Sequence, residues 1–234
     1  MNDYSWNWAV LVQEPYGQWL LDGLQWTVLV ALAAWAIAFT VGSLVGVART
    51  LPQRSIRLVA TTYVELFRNV PLLVQMFLWY FVVPELVPED WGRWMKRDMP
   101  YPEYTSAVLC LGFYTASRVA EQVRSGIEAL PTGLSQAGYA SGLSTVQVYR
   151  FIRLPLAYRI VIPPLTSEFL TIFKNSSLAL TIGLLELTAR SQQISEYTFQ
   201  SFEAYTAATV IYLLIALVVT ALMAVVERHT RIPR

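Results

Sequence analysis

Cysteine and histidine each occur once in these 234 residues, as Cys110 and His229. One cysteine excludes an intrachain disulfide and a cysteine-based metal cluster. One histidine excludes a His-pair metal site. Charge is also scarce: 14% of residues are Asp, Glu, Lys or Arg, against roughly 25% in an ordinary soluble domain. The 17 basic and 16 acidic residues nearly cancel, to a net +1, and contain no basic run. Nothing in that balance points to nucleic acid. No Gly-Lys pair occurs, so the chain has no phosphate-binding P-loop of its own. Strict apolar–polar alternation is missing too, which excludes a membrane β-barrel. What the chain has is 55% apolar residues, too many for disorder and too many for a water-soluble domain of this size.

The apolar residues are gathered into runs. Gly23–Ala48 is 26 residues without a charge and Ala204–Val226 is 23. A bilayer core needs about 20 helical residues, so each is long enough to span. The first is no signal peptide, because its flank carries Asp3, Glu14 and Asp22 with no Lys or Arg. Three further runs are short or interrupted. Asn69–Pro84 has 16 uncharged residues, Tyr104–Ser117 has 14 and must continue through Arg118 and Glu121, and Ile160–Leu185 contains Glu168 and Lys174. Such spans are expected where helices face other helices or a polar cavity. The chain therefore reads as one all-α membrane domain over 1–234, with spans near 23–48, 69–87, 104–124, 160–185 and 204–227.

Five spans sort the charges. Segments 49–68, 118–159 and 227–234 together hold 12 basic and 4 acidic residues; segments 1–22, 85–103 and 186–203 hold 4 basic and 11 acidic ones. Lys and Arg mark the cytoplasmic side. The N-terminus is thus expected outside, in the periplasm, and the C-terminus in the cytoplasm. Trp6, Trp8, Trp19, Tyr80, Trp91, Trp94 and Tyr101 then collect near outer span ends, as in an interfacial belt or in ordinary periplasmic packing.

The inside segment of roughly 40 residues is long enough to require structure of its own. Pro131-Thr132-Gly133 reads as a turn, Leu134–Ser141 as a short helix stopped at Gly142, and Ser144 as the N-cap of a second helix, Thr145–Arg153, that ends at Leu154-Pro155. Two short helices meeting at a glycine make a compact cytoplasmic knob near 126–159. Gln136-Ala137-Gly138, three residues, Gly142-Leu143, and then Ile152 and Leu154-Pro155 form a pattern similar to the "EAA" loop of permease subunits of bacterial ABC importers. Gln136 stands for the Glu of that name and Gly138 for its second Ala; glutamine keeps length and hydrogen bonding without the charge.

Tyr63–Gln75 (YVELFRNVPLLVQ) and Lys174-Asn175-Ser176-Ser177-Leu178 resemble the permeases for polar amino acids. WNW at 6–8, WYFVVPELVPE at 79–89, CLGFYTASRVAEQVRSGIEALP at 110–131 and VIPPLTSEFLTIFKNSSLALTIGL at 161–184 look like the glutamate/aspartate branch. The resemblance covers nearly the whole chain. It implies a type I ABC importer permease fold and alternating access driven by two ATPase subunits that bind the ATP and Mg. It also implies a second homologous permease, as a heterodimer, and a periplasmic amino acid binding protein, with lipid around the spans and no cofactor or metal in this chain. Sister branches carrying glutamine, arginine or histidine remain alternatives. A secondary transporter would show internal repeats, and none is seen; an enzyme would need catalytic groups, and none can be assembled.

Glu168 and Lys174 are the charges hardest to place in lipid. Two readings of Lys174 stay open. Its ammonium attracts the carboxylates of an acidic substrate beside Asn175, Ser176 and Ser177, or it pairs with an acid on another helix or snorkels. Glu168 reads first as the partner of an arginine near the inner ends, and second as part of the same path. Glu65 and Arg68 are spaced for a local pair, Pro71 for a kink, and Gly42-x-x-x-Gly46 for the close approach of a neighbouring helix. Cys110 reads as packed apolar filling, and His229 as an interfacial residue.

Overall fold

The computed structural model describes residues 4–230; Asp3, Arg231 and Arg234, counted in the charge sorting above, lie outside the described residues. Among the described residues all regular structure is helical. Three helices among these residues are long and apolar enough to cross a membrane: Tyr16–Ala48, Thr145–Ile182 and Ser201–His229. A fourth arises if Arg54–Asn69 and Leu72–Leu86 count as one broken span. Pro102–Glu128 is a single helix of 27 residues that carries Arg118, Glu121 and Arg124 through to its end.

The interruptions follow from proline. Arg54–Asn69 ends before Pro71, with Val70 extended at φ −91° and ψ 129°, because the residue before a proline is pushed out of the helical region. Pro84 and Pro155 behave differently. Each follows a π-helical turn, Leu78–Val82 and Tyr149–Arg153. Val83 N–H donates to the Leu78 carbonyl and Leu154 N–H to the Tyr149 carbonyl, five residues back. The widened turn takes up the register in front of a ring that cannot donate to position i−4 and clashes there. The expectation that Leu154-Pro155 ends the knob's second helix is therefore corrected: the chain stays helical from Thr145 into Leu154–Asn175.

The chain forms two compact units. One comprises residues 4–34, 72–111 and 170–219. Its core packs Leu20, Leu187, Ile194, Ala204 and Ala208. Gly23 lets Leu187 approach, since a Cβ there would lie 2.9 Å from the Leu187 Cα. The Thr27 hydroxyl accepts the Leu187 N–H at 3.2 Å. Buried Glu186 caps helix Leu187–Thr198, accepting the N–H groups of Thr188 and Ala189 and the Tyr212 hydroxyl at 2.8 Å. Burial pushes the Glu186 carboxyl above the usual carboxylate range, while those donors pull it back. Buried Glu203 accepts the Tyr4 hydroxyl and, at 2.8 Å, the Asn7 N–H. Two of the aromatics expected at span ends pack in this unit: Trp6 lies on Tyr4 and Phe202, and Trp19 under Arg190. Cys110 is fully buried.

The second unit comprises residues 35–71, 112–169 and 220–230. Its core joins Val119, Val123 and Ile127 to Tyr149, Ala157, Val161 and Leu165. Gly42 and Gly46 sit directly against Pro102–Glu128. A Cβ on Gly42 would lie 2.7 Å from the Ala116 carbonyl oxygen, and one on Gly46 2.7 Å from that of Ala120. The close approach read from the Gly-x-x-x-Gly spacing is thus present within the chain. Gly42→Val is expected to cost about 3 kcal/mol, the upper end for overpacking, because a rigid backbone opposes it. Thermal unfolding of the detergent-solubilised protein measures this, and an unchanged midpoint would refute it.

Candidate functional site

The knob is built by two local signals. Helix Thr132–Ala140 stops where Gly142 turns left-handed at φ +83°. Leu143 N–H donates to the Gly138 carbonyl at 3.1 Å and Gly142 N–H to that of Tyr139 at 3.0 Å, the paired bonds of a Schellman cap. Ser144 then opens the second helix with a capping box. Its hydroxyl accepts the Gln147 N–H, and the Gln147 side chain accepts the Ser144 N–H. Gly138, Leu143 and Ile152 come together: a Cβ on Gly138 would lie 2.8 Å from Ile152 Cδ1. A glycine in place of the loop's second alanine thus makes room for the second helix. Gln136, Ala137 and Gly142 are exposed on the outside of the knob, with Leu134, Tyr139, Val146 and Phe151. Leu154 and Pro155 lie past the knob, at the start of Leu154–Asn175.

The knob is also tied down. Arg153 Nε donates to Ser135 Oγ at 2.8 Å and Arg153 Nη1 to the Tyr149 hydroxyl at 3.1 Å. The Tyr149 hydroxyl donates to the Thr50 carbonyl at 3.0 Å. No spacing in the sequence marks this set.

Deeper along the helices, Arg118 grips Glu168 through two bonds, Nε to Oε2 at 2.6 Å and Nη2 to Oε1 at 3.0 Å. The Glu168 side chain is 7% exposed and that of Arg118 41%. A fork-to-fork pair of this kind fixes geometry as well as charge. Lys174 is exposed, one residue before helix Leu154–Asn175 ends. The Ser176 and Ser177 hydroxyls donate to the carbonyls of Phe173 and Lys174, at 2.8 and 2.7 Å. Asn175 is half-buried at the change from α to 3-10 geometry.

A second charge cluster surrounds Glu121. Arg124 Nη2 reaches it at 2.5 Å, Arg49 also pairs with it, and Arg68 lies at 3.7 Å. Arg124 bonds Glu128 as well. The expected Glu65–Arg68 pair is therefore corrected: Glu65 is exposed and the ion pair of Arg68 runs to Glu121. Helical spacing made Glu121-Arg124-Glu128 readable; nothing local announced Arg49 or Arg68. Among the described residues no group of His, Cys, Asp and Glu could hold a metal ion.

Comparison with known proteins agrees with this architecture. The family model described as "Binding-protein-dependent transport system inner membrane component" matches residues 38–232. The glutamate/aspartate import permease protein GltJ of Escherichia coli (strain K12) is 44% identical, over 98% of this chain and 96% of that protein. The glutamine transport system permease protein GlnP of the same strain is 30% identical, over 91% and 93%. A crystal structure of an amino acid ABC transporter with histidines superposes with a TM-score of 0.80 at 27% identity, over 97% of this chain and all of the other. An inward-facing MetNI methionine ABC transporter shares the fold at 18% identity and a TM-score of 0.79. The chain belongs to the family of inner membrane components of binding-protein-dependent transport systems.

Proposed function

We propose that this chain is the permease subunit of an ATP-driven importer for an acidic amino acid, glutamate or aspartate. The observation that carries the reading is 44% identity across almost the full length to a glutamate/aspartate import permease. Five spans, with the N-terminus periplasmic and the C-terminus cytoplasmic, are supported by the segregation of charge between alternate segments. That orientation puts the knob in the cytoplasm, where Gln136, Ala137, Gly142 and their apolar neighbours are the surface for an ATPase. Two ATPase subunits bind ATP and Mg, a second permease completes the path as a heterodimer, and a periplasmic binding protein delivers substrate. ATP binding closes the ATPase pair and moves the docked knob, and the helices switch from inward- to outward-facing. A rigid element transmits such a displacement where a flexible loop would absorb it. The closed ATPase pair drives the switch because it binds the two states differently.

Lys174, with Asn175, Ser176, Ser177 and Glu168, is assigned to the substrate path. Its exposed ammonium is the cation for a substrate carboxylate, whereas Glu168 acts through its hold on Arg118. The test is uptake into proteoliposomes holding the assembled importer and its binding protein. Glutamate and aspartate are expected to be taken up, and uptake of glutamine, arginine or histidine alone would overturn the acidic assignment. Lys174→Ala is expected to lower glutamate uptake about tenfold, the loss of one charge-assisted hydrogen bond. Unchanged uptake by an assembled Lys174→Ala importer would remove the substrate role. A permease for glutamine is the second reading, favoured by the 30% identity to a glutamine permease; glutamine-only uptake is its signature.

A further inference from the structure

The knob is continuous with helix Leu154–Asn175 through the π turn Tyr149–Arg153, which gives it one mechanical connection into the membrane. The structure carries a second. Thr50 closes the last turn of the first long helix: its N–H and its hydroxyl both donate to the Val47 carbonyl, at 2.9 and 2.8 Å. Its own carbonyl accepts the hydroxyl of Tyr149, and the two hydroxyls lie 3.1 Å apart. Tyr149 is buried, one residue past Val148, and its ring also lies under the Arg153 guanidinium at 5.1 Å. Arg153 reaches back to Ser135 in the first helix of the knob. Ser135, Arg153, Tyr149 and Thr50 are thus joined in a row, from the first helix of the knob to the end of the helix Tyr16–Ala48.

We propose that Tyr149 and Arg153 are positioning residues that carry displacement of the knob to the cytoplasmic end of the first span, in parallel with the direct helical connection. The physical case has three parts. The row is buried or half-buried, so its hydrogen bonds are shielded from exchange with water and are costly to leave unmade. Arg153 uses two separate donors of its rigid fork, which orients Tyr149 as well as holding it. Thr50 is itself locked to the helix, so a pull on its carbonyl moves the helix end and not a free loop. The inference rests on the importer reading above, in which the knob is the part the ATPase moves.

Tyr149→Phe keeps the ring, its packing and its stacking with Arg153 while removing the hydroxyl that joins Thr50 to Arg153. In the complete reconstituted importer this variant is expected to copurify with its ATPase and hydrolyse ATP, with transport per ATP reduced about tenfold, as for one to two lost net hydrogen bonds. Thr50→Val removes the side-chain hydroxyl but leaves the carbonyl acceptor and the Thr50 N–H bond to Val47, and is expected to lower transport per ATP less than Tyr149→Phe; a loss as large as that of Tyr149→Phe would overturn the route through the carbonyl. An assembled Tyr149→Phe importer with the parent's transport per ATP overturns the proposal. So does one that merely unfolds at a lower temperature with unchanged transport per ATP. Failure of the parent chain to copurify with an ATPase is a different result, and would overturn the importer reading itself.

Discussion

Arg118→Ala is expected to destabilise the protein by about 3 kcal/mol, the low end of the range for breaking a buried ion pair by removing one partner. Glu168 is 7% exposed and both of its carboxylate oxygens are held by Arg118. Without the guanidinium, the carboxylate must sit charged and unpaired or take up a proton. The low end applies because Arg118 is 41% exposed, so this chain encloses only one side of the pair. For a chain of this size the loss corresponds to a fall of about 6–12 °C in unfolding midpoint. Glu168→Gln on its own is expected to cost less, since it removes the charge while keeping the shape and one acceptor. Combined with Arg118→Ala it should recover part of the loss of Arg118→Ala alone, because the carboxylate left without a partner is no longer there. Thermal unfolding of the four proteins in one detergent measures the cycle. An Arg118→Ala midpoint equal to the parent's would show that the pair does not hold the helices.

Gly142→Val is expected to abolish most transport while leaving the fold in place. Gly142 has φ +83° and nothing within 4 Å of where its Cβ would lie, so the cost is conformational and not steric crowding. A left-handed residue costs about 1–2 kcal/mol with an ordinary side chain, and a β-branched one does worse. Relaxing that strain sacrifices the Schellman bonds of Leu143 and Gly142 and turns the second helix of the knob away from the first. An ATPase docked across both would lose its matched surface. Transport is expected to fall at least tenfold, with a change of only a few degrees in unfolding midpoint. Gly142→Asn, which tolerates the left-handed region, is expected to retain most of the activity. Uptake and copurification of the ATPase report the outcome; full transport by Gly142→Val would mean that the knob's shape is not used.

Much of this chain was readable where the physics is local. Gly42 and Gly46 announced a close helix contact because only their missing side chains allow one. Gly142 and Ser144 announced a stop and a start because a left-handed turn and an N-cap need those residue types within a few positions. Pro71 announced a kink for the same reason. Pro155 carries the same local signal, yet the π turn before it absorbs the ring, and Tyr149 in that turn belongs to a buried cluster with Val119, Val123 and Ile127, which no local spacing announces. The charge pairs divide in the same way. Glu121 and Arg124 are three residues apart and could be matched from spacing alone. Glu168 and Arg118 are separated by 50 positions, and Arg49 and Glu121 by 72.

Composition and run length by themselves determined the all-helical membrane class, and the sorting of charge determined the expected orientation, because transfer into a bilayer depends on side chains summed over a segment and not on their partners. The motif spacing determined the knob, because helix caps are satisfied within one turn. Only the tertiary structure decided that Glu168 belongs to Arg118, that Arg68 turns from Glu65 to Glu121, and that Tyr149 ties the knob to Thr50. A charged or hydroxyl side chain has several partners of suitable chemistry along the sequence, and the one it takes is whichever the packed helices bring within 3 Å or so while excluding water.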